Sequence, residues 1–159
     1  MPEQTIGVPH EAVPDPDGVA VHLQDALVDL VALGLNAKQA HWHVHGPNFL
    51  PVHQHLDALV EDSRAWADLV AERAVALGAA VDGRPATVAS DASVDTFPAG
   101  YVEDGKAVAL IAEQVGAVVL GLRRSVAALG ELDPVSQDLV IEVLRGLEKH
   151  LWMLQAQRG

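Results

Sequence analysis

The chain has no cysteine, so metal sites built on soft thiolates are excluded. That absence also fits a reducing cytoplasm. Aromatic residues are scarce, with three Trp, one Tyr and two Phe in 159 residues, yet half the chain is hydrophobic. The core must therefore be built from Ala, Val and Leu, side chains small enough for closely packed helices. Basic residues are few as well: 10 Lys and Arg stand against 22 Asp and Glu, for a net charge of −12, and none precedes Lys38. A field of that sign raises the local concentration of cations. Strand signals are weak throughout, no internal repeat is present, and no Glu-x-x-His occurs anywhere, which disfavours a di-iron centre enclosed in the chain's own bundle. Met1 to Gly18 is rich in Pro and acid and lacks the basic and apolar regions of a targeting signal. The most apolar stretch, Ala107 to Leu122, is shorter than a membrane span and carries Glu113 and Gln114. It reads as a buried bundle helix, with no membrane role.

What is present points to helices. The spacing predicts long ones over about Val19–His45, Phe49–Leu77, Glu103–Leu129 and Pro134–Gln157, preceded by a loosely ordered acidic tail over residues 1–18. Asn48 is the expected N-cap of the second helix and Gly78 its C′ stop. Asp82 to Gly100, with its Gly, Pro, Ser and Thr, reads as a long connection.

Five side chains carry most of the chemistry: His41, His53, Asp57, Asp68 and Glu72. Nitrogen and carboxylate donors in this mixture suit Fe(II), Mn(II) or Zn(II). On one helix, His53 and Asp57 lie one turn apart, as do Asp68 and Glu72. The eleven residues from Asp57 to Asp68 make three turns plus only ~20°, so all four share a stripe. They are too far apart for one ion, however, since that gap is roughly 16 Å along the axis and ligands sit about 2 Å from a metal. The pairs 53/72 and 57/68 share one midpoint, between Asp62 and Ser63. A two-fold axis there lays His53 beside Glu72 of a second copy and Asp57 beside Asp68. It also sets Glu61 opposite Arg64 of the partner as an expected salt bridge. His41 and His53 stand symmetrically about position 47 in the turn between two antiparallel helices, which puts them level. The expected site is His41, His53 and Asp57 from one chain with Asp68 and Glu72 from its mate.

A histidine in a helix is more often a hydrogen-bonded core or surface residue than a ligand, and that reading is given to His10, His22 and His150. His43, His45 and His55 are read as structural or surface residues, with an accessory metal site as the lesser alternative. On a helix, positions 41, 43 and 45 diverge and cannot share an ion unless the chain is extended there. Trp42 lies beside a ligand, placed either for packing or to take up a stray oxidising equivalent. Trp152 and Met153 read as core, Trp66 as core or dimer interface.

The segments Lys38-Gln39-Ala40-His41-Trp42, Gly46-Pro47-Asn48-Phe49 with His53 and Asp57, Asp68 with Ala71-Glu72-Arg73, and Leu147 to Met153 resemble the Dps mini-ferritins, named for DNA-binding proteins from starved cells. The resemblance runs from about residue 19 onward. It implies an all-α, ferritin-like four-helix bundle with a short extra helix between helices two and three, here about Asp91–Thr96. It further implies a homo-oligomer, a hollow dodecamer that oxidises Fe(II), preferentially with hydrogen peroxide, at inter-subunit sites and stores the Fe(III) product. By position, His41, His53, Asp57, Asp68 and Glu72 would be the ferroxidase ligands, Lys38 a supporting group and Trp42 the neighbouring aromatic. The chain departs from the family at His43, commonly Asn, and at His45, commonly basic. Asp138 and Glu142, with Asp133 nearby, would line an acidic pore on a three-fold axis; a solvated helix start is the other reading. The resemblance also implies a bacterial, cytoplasmic protein. A DNA-coating, nucleoid-associated protein is the competing function, but phosphate contacts need Lys and Arg, and a Lys-rich tail is missing, so DNA binding is expected to be weak or absent. A shell binding Zn(II) without redox turnover is a third reading.

Overall fold

The computed structural model describes residues 7–157. Four long helices are present: α1 (Pro16–His43), α2 (Phe49–Ala76), α4 (Asp104–Leu132) and α5 (Pro134–Ala156), with the short α3 (Pro85–Asp91) between α2 and α4. α1 and α2 form one antiparallel pair and α4 and α5 the other, with α1 against α4 and α2 against α5. Leu23, Leu30, Leu33, Leu56, Leu59, Ile111 and Leu147 are completely buried between them. Both α1 and α4 are long and apolar enough by composition to cross a membrane. About half of each apolar window is buried in the bundle core.

Local chemistry explains the ends. α1 begins at Pro16 rather than Val19, because the Asp15 carboxylate accepts the Gly18 N–H at 2.9 Å and Pro16 fits a first helical turn. The stretch expected as a loose tail therefore belongs to the fold from Gly7 onward: the Val8 N–H donates to the Ala76 carbonyl at 2.8 Å, and Val13 is buried. Residues 1–6 of that tail, and His10's side chain, lie outside what is described. α1 also stops at His43 rather than His45. Val44–His45 is extended and pairs in parallel with Val102–Glu103, a two-residue ladder (β1 and β2) that no local strand signal announced. That pairing starts the third long helix one residue later than expected, at Asp104, and it continues to Leu132.

Asn48 occupies the N-cap position of α2, but its side chain makes no capping bond; the Asp104 carboxylate instead accepts the Asn48 N–H at 2.6 Å. Gly46, at φ +133°, makes the turn, and a Cβ there would lie 2.6 Å from Asp104 Oδ2. Gly78 ends α2 at φ +85°, with Gly78 N–H to Val75 O and Ala79 N–H to Ala74 O, a Schellman motif. The short helix spans Pro85–Asp91, not Asp91–Thr96. Residues 92–97 instead form no helix, bend at Ser93–Val94 and are pinned by side chains of α1 and α4. The Asp29 carboxylate accepts the Ser93 N–H and hydroxyl, and the buried Asn36 amide bonds the Asp95 carbonyl, the Phe97 N–H and Gln114.

Candidate metal centre

The Gly46 turn lays α2 back along α1 and brings His41 level with His53. Their rings stack with centroids 3.6 Å apart and planes 18° from parallel. Each Nδ1 lies 2.8 Å from the other residue's backbone carbonyl. A carbonyl only accepts, so both Nδ1 atoms carry protons, and both Nε2 lone pairs are left for a cation. This clasp is the orienting contact that ligating histidines use.

Asp57, one turn beyond His53, completes the cluster: its Oδ1 lies 4.0 Å from His41 Nε2 and is bonded by Lys38 Nζ. That Lys38 hydrogen bond chiefly holds the Asp57 carboxyl below its usual range, against desolvation, with His41 and His53 adding to the effect. The ammonium thus sits against the oxygen that faces His41. Phe49 covers the other side of His53, centroids 5.0 Å apart. Trp42 is 62% exposed, so it does not pack in its own bundle.

Asp68 and Glu72 are exposed farther along α2 and are not brought to this cluster. Among the described residues, no three His, Asp or Glu side chains in one chain converge enough to hold an ion. Asp68 lies on the rim of a groove of about 330 Å³ lined by Leu27, Val31, Gly34, Leu35, Ala67 and Ala71, and Leu35 is 60% exposed. Arg64 also lines this groove, and Glu61 and Arg64 are both exposed.

The other sequence candidates separate. His43 bonds the Gln39 carbonyl at 3.0 Å, and His43 and His45 both meet Tyr101 edge-on. Asp133 is not free to line a pore. It is buried, caps α5 through the Ser136 N–H and pairs with Arg73 at 2.6 Å. Burial would raise its pKa, but the Ser136 and Arg73 hydrogen bonds outweigh this and hold it low. Asp138 and Glu142 are exposed one turn apart on α5. Trp152, expected in the core, is 64% exposed.

Sequence reading missed a polar seam between α2 and α5. Gln157 donates to His55 Nδ1 at 3.0 Å, His55 Nε2 donates to His150 Nδ1 at 3.0 Å, and His150 Nε2 donates to Asp62 at 2.7 Å. Burial, and then the neighbouring His150, keep His55 below its usual pKa. The only local signal is that His55 and Asp62, seven apart, share a helix face.

The family model for the ferritin-like domain matches residues 20–159. A DNA protection during starvation protein from Mycolicibacterium smegmatis is 37% identical over 138 residues, 87% of this chain and 75% of that protein. DNA protection during starvation protein 2 from Deinococcus radiodurans is 33% identical over 134 residues, 84% of this chain; the match spans little more than half of that longer protein, 56%. Among solved structures, Dps from Microbacterium arborescens in the high iron form gives a TM-score of 0.88 at 35% identity, covering 96% of this chain and 98% of that one.

Proposed function

The chain belongs to the ferritin-like family and, within it, to the Dps proteins, and we propose that it oxidises Fe(II) at sites shared between two subunits and stores the ferric product inside a dodecameric shell. The observation that carries this reading is the reciprocal His41–His53 clasp, which frees two Nε2 atoms beside Asp57 while the remaining donors, Asp68 and Glu72, stand exposed three turns away. A two-fold partner laid along α2 brings its Asp68 and Glu72 to that cluster. The solved Dps in its high iron form supports iron as the metal handled.

In this mechanism, iron is the substrate. His41 and His53 donate through Nε2, and their Nδ1–H bonds fix the ring planes before iron arrives. Asp57 supplies a carboxylate that Lys38 keeps ionised; an incoming cation displaces the ammonium from Oδ1. The partner's carboxylates add negative charge, which favours the ferric state once formed. Two Fe(II) ions each give up one electron to one hydrogen peroxide, which takes up two protons and leaves as two waters, so no hydroxyl radical is released. Trp42 is placed to take up a stray oxidising equivalent. Asp138 and Glu142 would concentrate Fe(II) at the shell's three-fold axes. Zn(II) accepts the same donors and would compete without turnover.

We further propose that protection of DNA, if this chain provides it in the bacterial cytoplasm, comes from removing iron and peroxide rather than from coating. The net charge of −12 and the absence of Lys and Arg before Lys38 favour that reading. The test is anaerobic Fe(II) loading followed by peroxide, comparing wild type with Asp68→Ala. Rapid ferric absorbance in a soluble shell-sized particle, lost in the variant, is expected. Equal oxidation by both, with only precipitate formed, would overturn the shared site.

A further inference from the structure

We propose that His55 and His150 form a second cation site, a clip between α2 and α5 that takes a borderline divalent ion such as Zn(II). It is separate from the shared iron site. His55 follows His53 by two positions, so it leaves α2 roughly 200° away from it, toward α5. There His55 Nε2 and His150 Nδ1 lie 3.0 Å apart, with the rings 23° from parallel.

One of the two lone pairs is already fixed. His150 is buried and its Nε2–H is donated to Asp62 at 2.7 Å, so Nδ1 carries the lone pair. A carboxylate behind the ring is also what orients ligating histidines and makes them more basic. The edge of Trp66 meets the same ring, centroids 6.1 Å apart. His55 supplies the other lone pair by exchanging tautomers: its Nε2 proton moves to Nδ1, and none is released. Nδ1–H then needs an acceptor. Gln157 stands 3.0 Å from it on an exposed side chain, whose amide can turn to offer Oε1.

Hydrogen bonding satisfies both rings as they stand; what makes them a site is that the two nitrogens also meet the reach of one ion and adjoin open space. With Zn–N bonds of about 2.0–2.1 Å, nitrogens at the tetrahedral angle lie about 3.3–3.4 Å apart, so this pair needs to open by only about 0.3–0.4 Å. A cavity of about 450 Å3 adjoins His55, with Gln157, Met153 and Asn48 in its wall. A water occupies about 30 Å3, so the cavity has room for those that complete four-coordination. Two neutral nitrogens with no directly bound carboxylate favour a borderline ion over Mg(II) or Ca(II), which require oxygen. The two donors come from different helices, so an ion held between them stabilises the folded bundle.

Equilibrium dialysis of the full-length assembled protein against Zn(II) should show one ion per chain more in wild type than in His55→Gln. Both proteins keep the shared site and no iron enters the assay, so the difference belongs to the seam whatever the shared site binds. Two variants at exposed positions keep both histidines and the fold. Asp62→Ala removes the orienting carboxylate and should weaken zinc at the seam by about 10–100-fold. Gln157→Glu gives His55 Nδ1–H a charged acceptor and should strengthen it. In zinc-soaked crystals, the anomalous peak should lie about 2.0–2.1 Å from both His55 Nε2 and His150 Nδ1. Equal stoichiometry in wild type and His55→Gln, unchanged affinity in both of the other variants, or zinc found only at the shared site would each overturn the proposal.

Discussion

Mixing two inactive variants tests the shared site more sharply than any single substitution. An Asp68→Ala chain keeps His41, His53 and Asp57 but loses one donor from its carboxylate half; a His53→Ala chain does the reverse. The two halves are separated by roughly 16 Å of α2, a rigid helix with no described break between Phe49 and Ala76, so no side-chain adjustment in one chain joins them. When equal amounts are unfolded and refolded together, half the two-fold dimers are mixed. Each mixed dimer has one site with both halves intact and one site with both lesions, so about one quarter of all sites is restored. Stopped-flow ferric absorbance after peroxide addition should show a burst with the wild-type rate constant and about a quarter of its amplitude, absent from either parent refolded alone. A mixture no better than its parents would refute the shared site. Parents that keep the full burst would refute the ligand assignment itself.

Gly146 packs against Trp66, and a Cβ there would lie 2.2 Å from Cζ2 and 2.6 Å from Cη2 of the indole; Gly146→Ala should therefore cost about 1–3 kcal/mol and lower Tm by roughly 3–9 °C. Unchanged melting in the same assembly state would show that the ring moves aside freely. Asp133→Asn should destabilise by about 3 kcal/mol, the low end of the range for breaking a buried ion pair, because Arg73 keeps 15% side-chain exposure; urea unfolding at neutral pH measures this. Since folding lowers the Asp133 pKa, its contribution is complete above the unfolded value near about 4 and is lost as pH falls through the folded one; the variant should show a shallower stability loss in that acid range. Intact protein should not retard plasmid on a gel at neutral pH and physiological salt; a shift there would reinstate DNA coating.

How far the sequence could be read depended on how far each determinant reached along the chain. The α1–α2 hairpin, the level His41–His53 pair and the shared face of His53, Asp57, Asp68 and Glu72 follow from the 3.6-residue period and one Gly–Pro turn, all within positions 41–72. The features that were misplaced depend on distant partners. Val44 and His45 leave the helix because they pair with Val102 and Glu103. The chain from Ser93 to Phe97 is tied outside any helix by Asp29, Asn36 and Gln114, so the short helix falls earlier, where Pro85 can open it. Asp133 looked like a pore residue until α2 supplied Arg73 from sixty positions away. His150 looked inert because its partners, His55 and Asp62, lie on another helix. Trp152 erred in the other direction. As an indole beside Leu151 and Met153 it read as core, yet it is exposed on the outer face of α5. Which face of α5 turns outward is set by its packing against α4 and α2, elements that the residues flanking Trp152 do not reveal.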